Sequence, residues 1–156
     1  MRYLRTKYPF AVPLPFPDVS GSKAFTMGSP APGTVPRRIL VVDDEPALRY
    51  MVARAFRERG YDVVEAGDGL AGLDLVRSAS LPFHLVITNS RMPHIDGPEL
   101  AERLRELDPK LPIIHLSGSH SAHNSMPPDV PTLFKPFNMS DLVIEAEELM
   151  EERESG

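Results

Sequence analysis

From residue 37 onward the chain alternates between two hydrophobic periods, and that alternation limits the fold more than any single residue does. Ile39-Leu40-Val41-Val42 is an unbroken, β-branched-rich run, the pattern of a strand covered on both faces. Glu45 and Pro46 then open a helix, where proline suits the first turn. Leu48, Met51, Val52, Ala55 and Phe56 follow at three- and four-residue spacing, and Gly60 ends the helix. Tyr61–Glu65 reads as a second strand, and Asp68 as the cap of a second helix presenting Leu70, Leu73, Leu75 and Val76. Phe83–Thr88 is the third strand; Gly97–Leu107 is a helix with Leu100, Leu104 and Leu107 on one face. Ile113–Leu116 and Thr132–Phe134 are the remaining strands. A last helix, capped by Asn138 or Ser140, carries Met139, Leu142, Val143, Ala146 and Leu149 to about Glu152. Five strands alternating with helices predict an α/β fold, a doubly wound five-stranded parallel sheet of (βα)5 type.

The first 36 residues are of another kind. Seven of the 17 prolines fall there, and proline withholds a backbone donor and disfavours helix before it. Residues 1–36 are therefore read as a Pro-rich flexible leader, with Met27 as an alternative start, and 37–153 as the single domain. No two leader prolines stand at PxxP spacing, which weighs against a peptide-ligand role. The leader carries a net charge of +3, so of the total of −5 the remainder holds −8. That acidic balance argues against direct binding of nucleic acid or an anionic membrane. The absence of cysteine excludes disulfides, thiolate nucleophiles and zinc–sulfur sites. No apolar run approaches the roughly 20 residues of a membrane span, and a cytoplasmic location is expected.

In open parallel sheets chemistry gathers outside the carboxyl ends of the strands. Asp43, Asp44 and Glu45 follow the first strand, Asn89 the third, Ser117 and Gly118 the fourth, and Lys135 and Pro136 the fifth. Adjacent carboxylates suit a hard cation such as Mg2+. A lysine and a small hydroxyl suit a phosphoryl group. Taken singly, the acidic pair could be a helix cap, Ser117-Gly118 an ordinary turn and Lys135 a solvated surface residue. Their placement at the ends of different strands favours one site.

The motifs ILVVDDEP (Ile39–Pro46), NSRMPHIDG (Asn89–Gly97), HLSGS (His115–Ser119) and LFKPF (Leu133–Phe137) resemble the receiver domain of bacterial response regulators. The resemblance spans Arg37 to about Met150. It implies a flavodoxin-like, CheY-like sheet, with Asp43, Asp44 and the backbone carbonyl of Arg91 as the metal site, Asp44 the direct carboxylate ligand. It also implies Ser117 as switch hydroxyl, Lys135 as phosphate-binding lysine and a cis Lys135–Pro136 bond. Two-component or phosphorelay signalling, with a sensor histidine kinase or another signalling protein as partner, follows from the same likeness.

Two positions depart from the family. The phosphoacceptor, three residues before Met92, is Asn89, a poor nucleophile that brings no charge to a metal. The aromatic residue expected three before Lys135 is Thr132. The prolines at 127, 128 and 131 also leave room only for a shortened fourth helix. The expectation is a degenerate, non-enzymatic receiver with weakened Mg2+ binding and no other cofactor. It is expected to act by binding partners without phosphorylation, with no output domain following. The alternative is phosphoryl acceptance at a non-standard residue. Ser90 is adjacent, although strand alternation should turn its side chain away from the pocket. A flavodoxin-like ligand-binding protein is disfavoured, because no Gly-rich loop follows the first strand. His115, His120 and His123 are read as polar residues and not as metal ligands.

Overall fold

The computed structural model describes residues 34–119 and 125–156, together with the backbone of a short antiparallel pair, Tyr3–Leu4 (β1) with Val12–Pro13 (β2). Residues 1–2, 5–11 and 14–33 of the leader lie outside the described residues. The domain then runs β3 (Arg38–Val42), α1 (Pro46–Arg57), β4 (Asp62–Ala66), α2 (Gly69–Ser78), β5 (Leu85–Asn89) and α3 (Gly97–Leu107). It closes with β6 (Ile113–Ser117), β7 (Thr132–Phe134) and α4 (Met139–Ser155). The five domain strands are all parallel, in the order β4-β3-β5-β6-β7. That is the flavodoxin-like order expected from the motifs.

Asp68 caps α2 by accepting from the Ala71 N–H at 2.8 Å, and Asn138 caps α4 by accepting from the Ser140 N–H at 2.9 Å. Gly60, at φ 90°, ends the first helical segment in the left-handed conformation that glycine adopts freely. The connection from β6 to β7 is turns and bends over 125–131, and residues 120–124, where part of the shortened helix was expected, lie outside the described residues.

The sheet divides the core in two. Ile39, Val41, Leu85, Ile87, Ile114 and Leu116 pack beneath α1 and α4 with Phe56, Leu142 and Ala146. Leu40, Val42, Val86 and Ile113 pack beneath α2 and α3 with Leu73, Leu100 and Leu104. Each fully buried aliphatic side chain contributes about 1.5–3 kcal/mol.

Three residues assigned to apolar stripes are instead exposed: Met51, Leu70 and Leu107. The inward faces are set partly by small residues that a count of large side chains misses. Ala53 is buried on α1. On α2, Gly72 approaches the sheet so closely that a Cβ would lie 2.9 Å from Val42 Cγ2. The strand ends also shift. Phe83 and His84 precede β5, and Asn89 and Ser117 are the last residues of their strands, not the first beyond them. Continued ladder bonding explains this, since the Ser90 N–H still donates to the Leu116 carbonyl.

His84 clamps the start of β3. Its backbone N–H donates to the Arg38 carbonyl at 2.8 Å, and its Nδ1 accepts from the Arg38 N–H at 2.9 Å. An accepting Nδ1 requires the neutral ring. Burial, joined by the Arg153 and Arg37 charges, lowers the His84 pKa below 6.5. The unfolded chain therefore binds the proton more readily. The resulting stability is complete above pH 6.5 and is lost as pH falls through the depressed folded value. The urea midpoint should fall as pH is lowered from about 8 to about 5. His84→Gln should flatten that slope, measured by fluorescence-free circular dichroism melts in urea at each pH.

Candidate functional site

At the carboxyl end of the sheet, the pairing of Val42 with Thr88 makes Asp43 and Asn89 leave adjacent strands side by side. Asp43 is buried, at 2% exposure, whereas Asp44 is exposed at the start of the loop into α1. Asp43 Oδ1 accepts from the Glu45 N–H at 2.9 Å. Its carbonyl accepts from Arg49 Nη1 at 2.8 Å, and Arg49 is itself paired with Glu65 at the end of β4. Arg49 thus holds the acidic turn in place, a role its position on an amphipathic helix did not advertise. Burial pushes the Asp43 carboxyl pKa above its ordinary value, with the Glu45 amide and Lys135 pulling it back and Asp44 adding to the rise.

Asn89 joins the parts. Its Oδ1 accepts from Lys135 Nζ at 2.8 Å. Its Nδ2 points toward three oxygens: Arg91 O at 3.2 Å, Asp43 Oδ1 at 3.3 Å and Asp44 Oδ1 at 3.4 Å. Lys135 follows β7, and the peptide between it and Pro136 is cis. Ser117 lines the same open cavity of about 330 Å³ as Asn89, Arg91 and Lys135. Its hydroxyl is nevertheless turned to its own loop, donating to the Ser119 carbonyl at 2.7 Å and accepting from the Ser119 N–H at 3.2 Å. Asp43, Asp44, Asn89, Arg91 and Lys135 therefore form one network, with Ser117 beside it.

These residues do not compose a ready cage for a hard cation. Two carboxylates and a carbonyl converge, but an amide N–H2 is aimed at the space they share. Mg2+ takes oxygen ligands at about 2.0–2.1 Å. Among the described residues no group of three or more His, Cys, Asp or Glu is placed to hold a metal.

Comparison with known proteins decides the family. The model of the response regulator receiver domain matches residues 39–147. The chain belongs to the response regulator receiver family. The response regulator receiver protein CpdR of Brucella abortus (strain 2308) is 33% identical over 118 residues, 73% of this chain and 97% of that protein. The sensor kinase CckA of the same organism is 32% identical over 120 residues, 74% of this chain but only 13% of the kinase. The CheY-like receiver domain protein from Methanospirillum hungatei JF-1 superposes with a TM-score of 0.70. That structure is 27% identical, and the match covers 78% of this chain and 98% of that one. Two-component signalling is the setting in which this receiver belongs.

Ser90 turns away from the Asn89 network, as strand alternation requires. Its Oγ lies 2.5 Å from His115 Nε2, and His115 Nδ1 lies 3.1 Å from Thr132 Oγ1. His115 is fully buried in β6. It is a core histidine flanked by two hydroxyls, where the sequence alone suggests only a polar residue. His120 and His123 lie outside the described residues. Thr132 stands where the family resemblance led to an aromatic residue.

Gly97 supports the site from behind. Its N–H donates to the Ser90 carbonyl at 2.8 Å, and a Cβ there would lie 2.3 Å from the Asn89 carbonyl oxygen. Gly97→Ala must displace the end of β5 or the start of α3. It should cost about 1–3 kcal/mol in urea unfolding. The Asn89 side-chain amide resonances should shift in the variant's NMR spectrum.

Proposed function

We propose that this receiver acts as a phosphorylation-independent binding module of a two-component or phosphorelay system, its phosphoacceptor replaced by Asn89. The observation that carries the reading is the bond from Lys135 Nζ to Asn89 Oδ1 at 2.8 Å. A phosphorylatable carboxylate attacks phosphorus with an anionic oxygen. Here the equivalent oxygen belongs to a neutral amide and already accepts from the lysine that would bind a phosphoryl group. An amide is a poor nucleophile, and no charge remains to be relieved on transfer. The receiver is then a protein-binding surface and not an enzyme, with a sensor histidine kinase or another signalling protein as partner. Similarity to a sensor kinase supports that partner class. The acidic balance weighs against direct nucleic-acid binding. No helix among the described residues is long and apolar enough to cross a membrane, and we place the module in the cytoplasm.

A second reading has one observation in its favour. The His115 ring within 2.5 Å of Ser90 Oγ is the arrangement of a base beside a hydroxyl nucleophile. Ser90, however, is buried at 6% exposure and faces away from Lys135 and Asn89.

Intact mass after incubation with Mg2+ and an acyl phosphate separates the two. The native chain should stay unmodified while Asn89→Asp gains one labile phosphoryl group. A phosphorylated native chain overturns the proposal, and peptide mapping to Ser90 establishes the second reading.

A further inference from the structure

We infer that the Asn89 carboxamide serves as an internal substitute for a divalent cation, holding the acidic pair and the Arg91 carbonyl together without metal. This rests on the reading above that Asn89 occupies the acceptor position, and it adds a role for the side chain itself. Three oxygen acceptors from two stretches of chain converge on one nitrogen: Asp43 and Asp44 in the loop from β3 to α1, and the Arg91 carbonyl in the loop after β5. Two carboxylates so close repel one another unless a positively polarised group lies between them. The Asn89 N–H2 is that group, its two hydrogens shared among three oxygens at 3.2–3.4 Å.

The surroundings also dictate which way round the amide sits. With oxygen and nitrogen exchanged, the carbonyl would face three acceptors and the N–H2 would face an ammonium. As it stands, every contact pairs donor with acceptor. One side chain thus gathers the acidic pair and the β5–α3 loop with its nitrogen, and ties them to the residue after β7 with its oxygen.

Cation and amide compete for the same oxygens. For Mg2+ to enter, the N–H2 must leave them and the oxygens must draw in to about 2.0–2.1 Å. Asn89 could help ligate only by turning its carbonyl inward, which breaks the bond from Lys135. Metal binding is therefore opposed by the interactions that hold the pocket together. The same amide restrains Lys135, so an incoming anion must displace it before meeting the ammonium.

The test is the thermal midpoint of the full chain in chelator and in millimolar Mg2+, with KCl at matched ionic strength as control. The native midpoint should not move with Mg2+. The Asn89→Asp midpoint should rise, with an apparent Mg2+ affinity at least ~10-fold above the native. Asn89→Ala, which leaves the three oxygens without a donor, should melt below the native in chelator and recover with Mg2+. A native midpoint that rises with Mg2+ as far as that of Asn89→Asp overturns the inference. Should Asn89→Ala fail to fold, native against Asn89→Asp still decides. The outcome is separable from the phosphorylation result, because a native chain that binds Mg2+ yet gains no phosphoryl mass sinks this inference alone.

Discussion

The parallel pairing of β3 with β5, running from Ile39 with Leu85 to Val42 with Thr88, is the constraint on which the site depends. Both strands are buried along nearly their whole length, so hydrocarbon on both faces holds the register against slippage. A shift of one residue would turn Leu40 and Val42 into the other half of the core and carry Asp43 away from Asn89. The polar network is thus aligned by apolar packing behind it. Its own bonds, several of them at the long end of hydrogen-bonding distance, could not fix that geometry alone.

Much of this was legible in the residues, for identifiable reasons. Unbroken, β-branched-rich runs such as Ile39–Val42 point to strands covered on both sides, and the rule that ligands gather at strand ends led directly to Asp43, Asp44, Asn89 and Lys135. What escaped was set by atoms that periodicity does not weigh. Gly72 and Ala53 define inward helix faces because they are small, whereas Met51 and Leu70 satisfy the spacing and still face solvent. Arg49 lies outside the apolar stripe of α1 and carries no motif, yet it reaches the Asp43 carbonyl. Side-chain length hides such contacts from any reading based on direction alone. His115 was missed because a histidine in a strand announces neither its burial nor its partners.

The charge arrangement around Asn89 follows from its neutrality. Asp43 is buried and its carboxyl resists ionisation, while Asp44 stands in solvent. Two nearby cations are already engaged: Lys135 by Asn89, Arg49 by Glu65 and the Asp43 carbonyl. A third carboxylate at position 89 would add repulsion that these groups could relieve only by rearranging. An amide permits the same side-chain shape with none of that repulsion, which makes a single settled arrangement available to the pocket.

The chain of Ser90, His115 and Thr132 has a consequence of a different sort. It crosses from the end of β5, through β6, to β7, on a half of the sheet filled mostly with hydrocarbon. A polar group stranded there without a partner costs roughly 1–3 kcal/mol. Ser90 Oγ also donates to the Leu116 carbonyl at 3.3 Å, which anchors the line to the backbone of β6. One polar line thus ties the end of β5 to β6 and β7, so a change of side chain at any of its three positions is felt across three neighbouring strands.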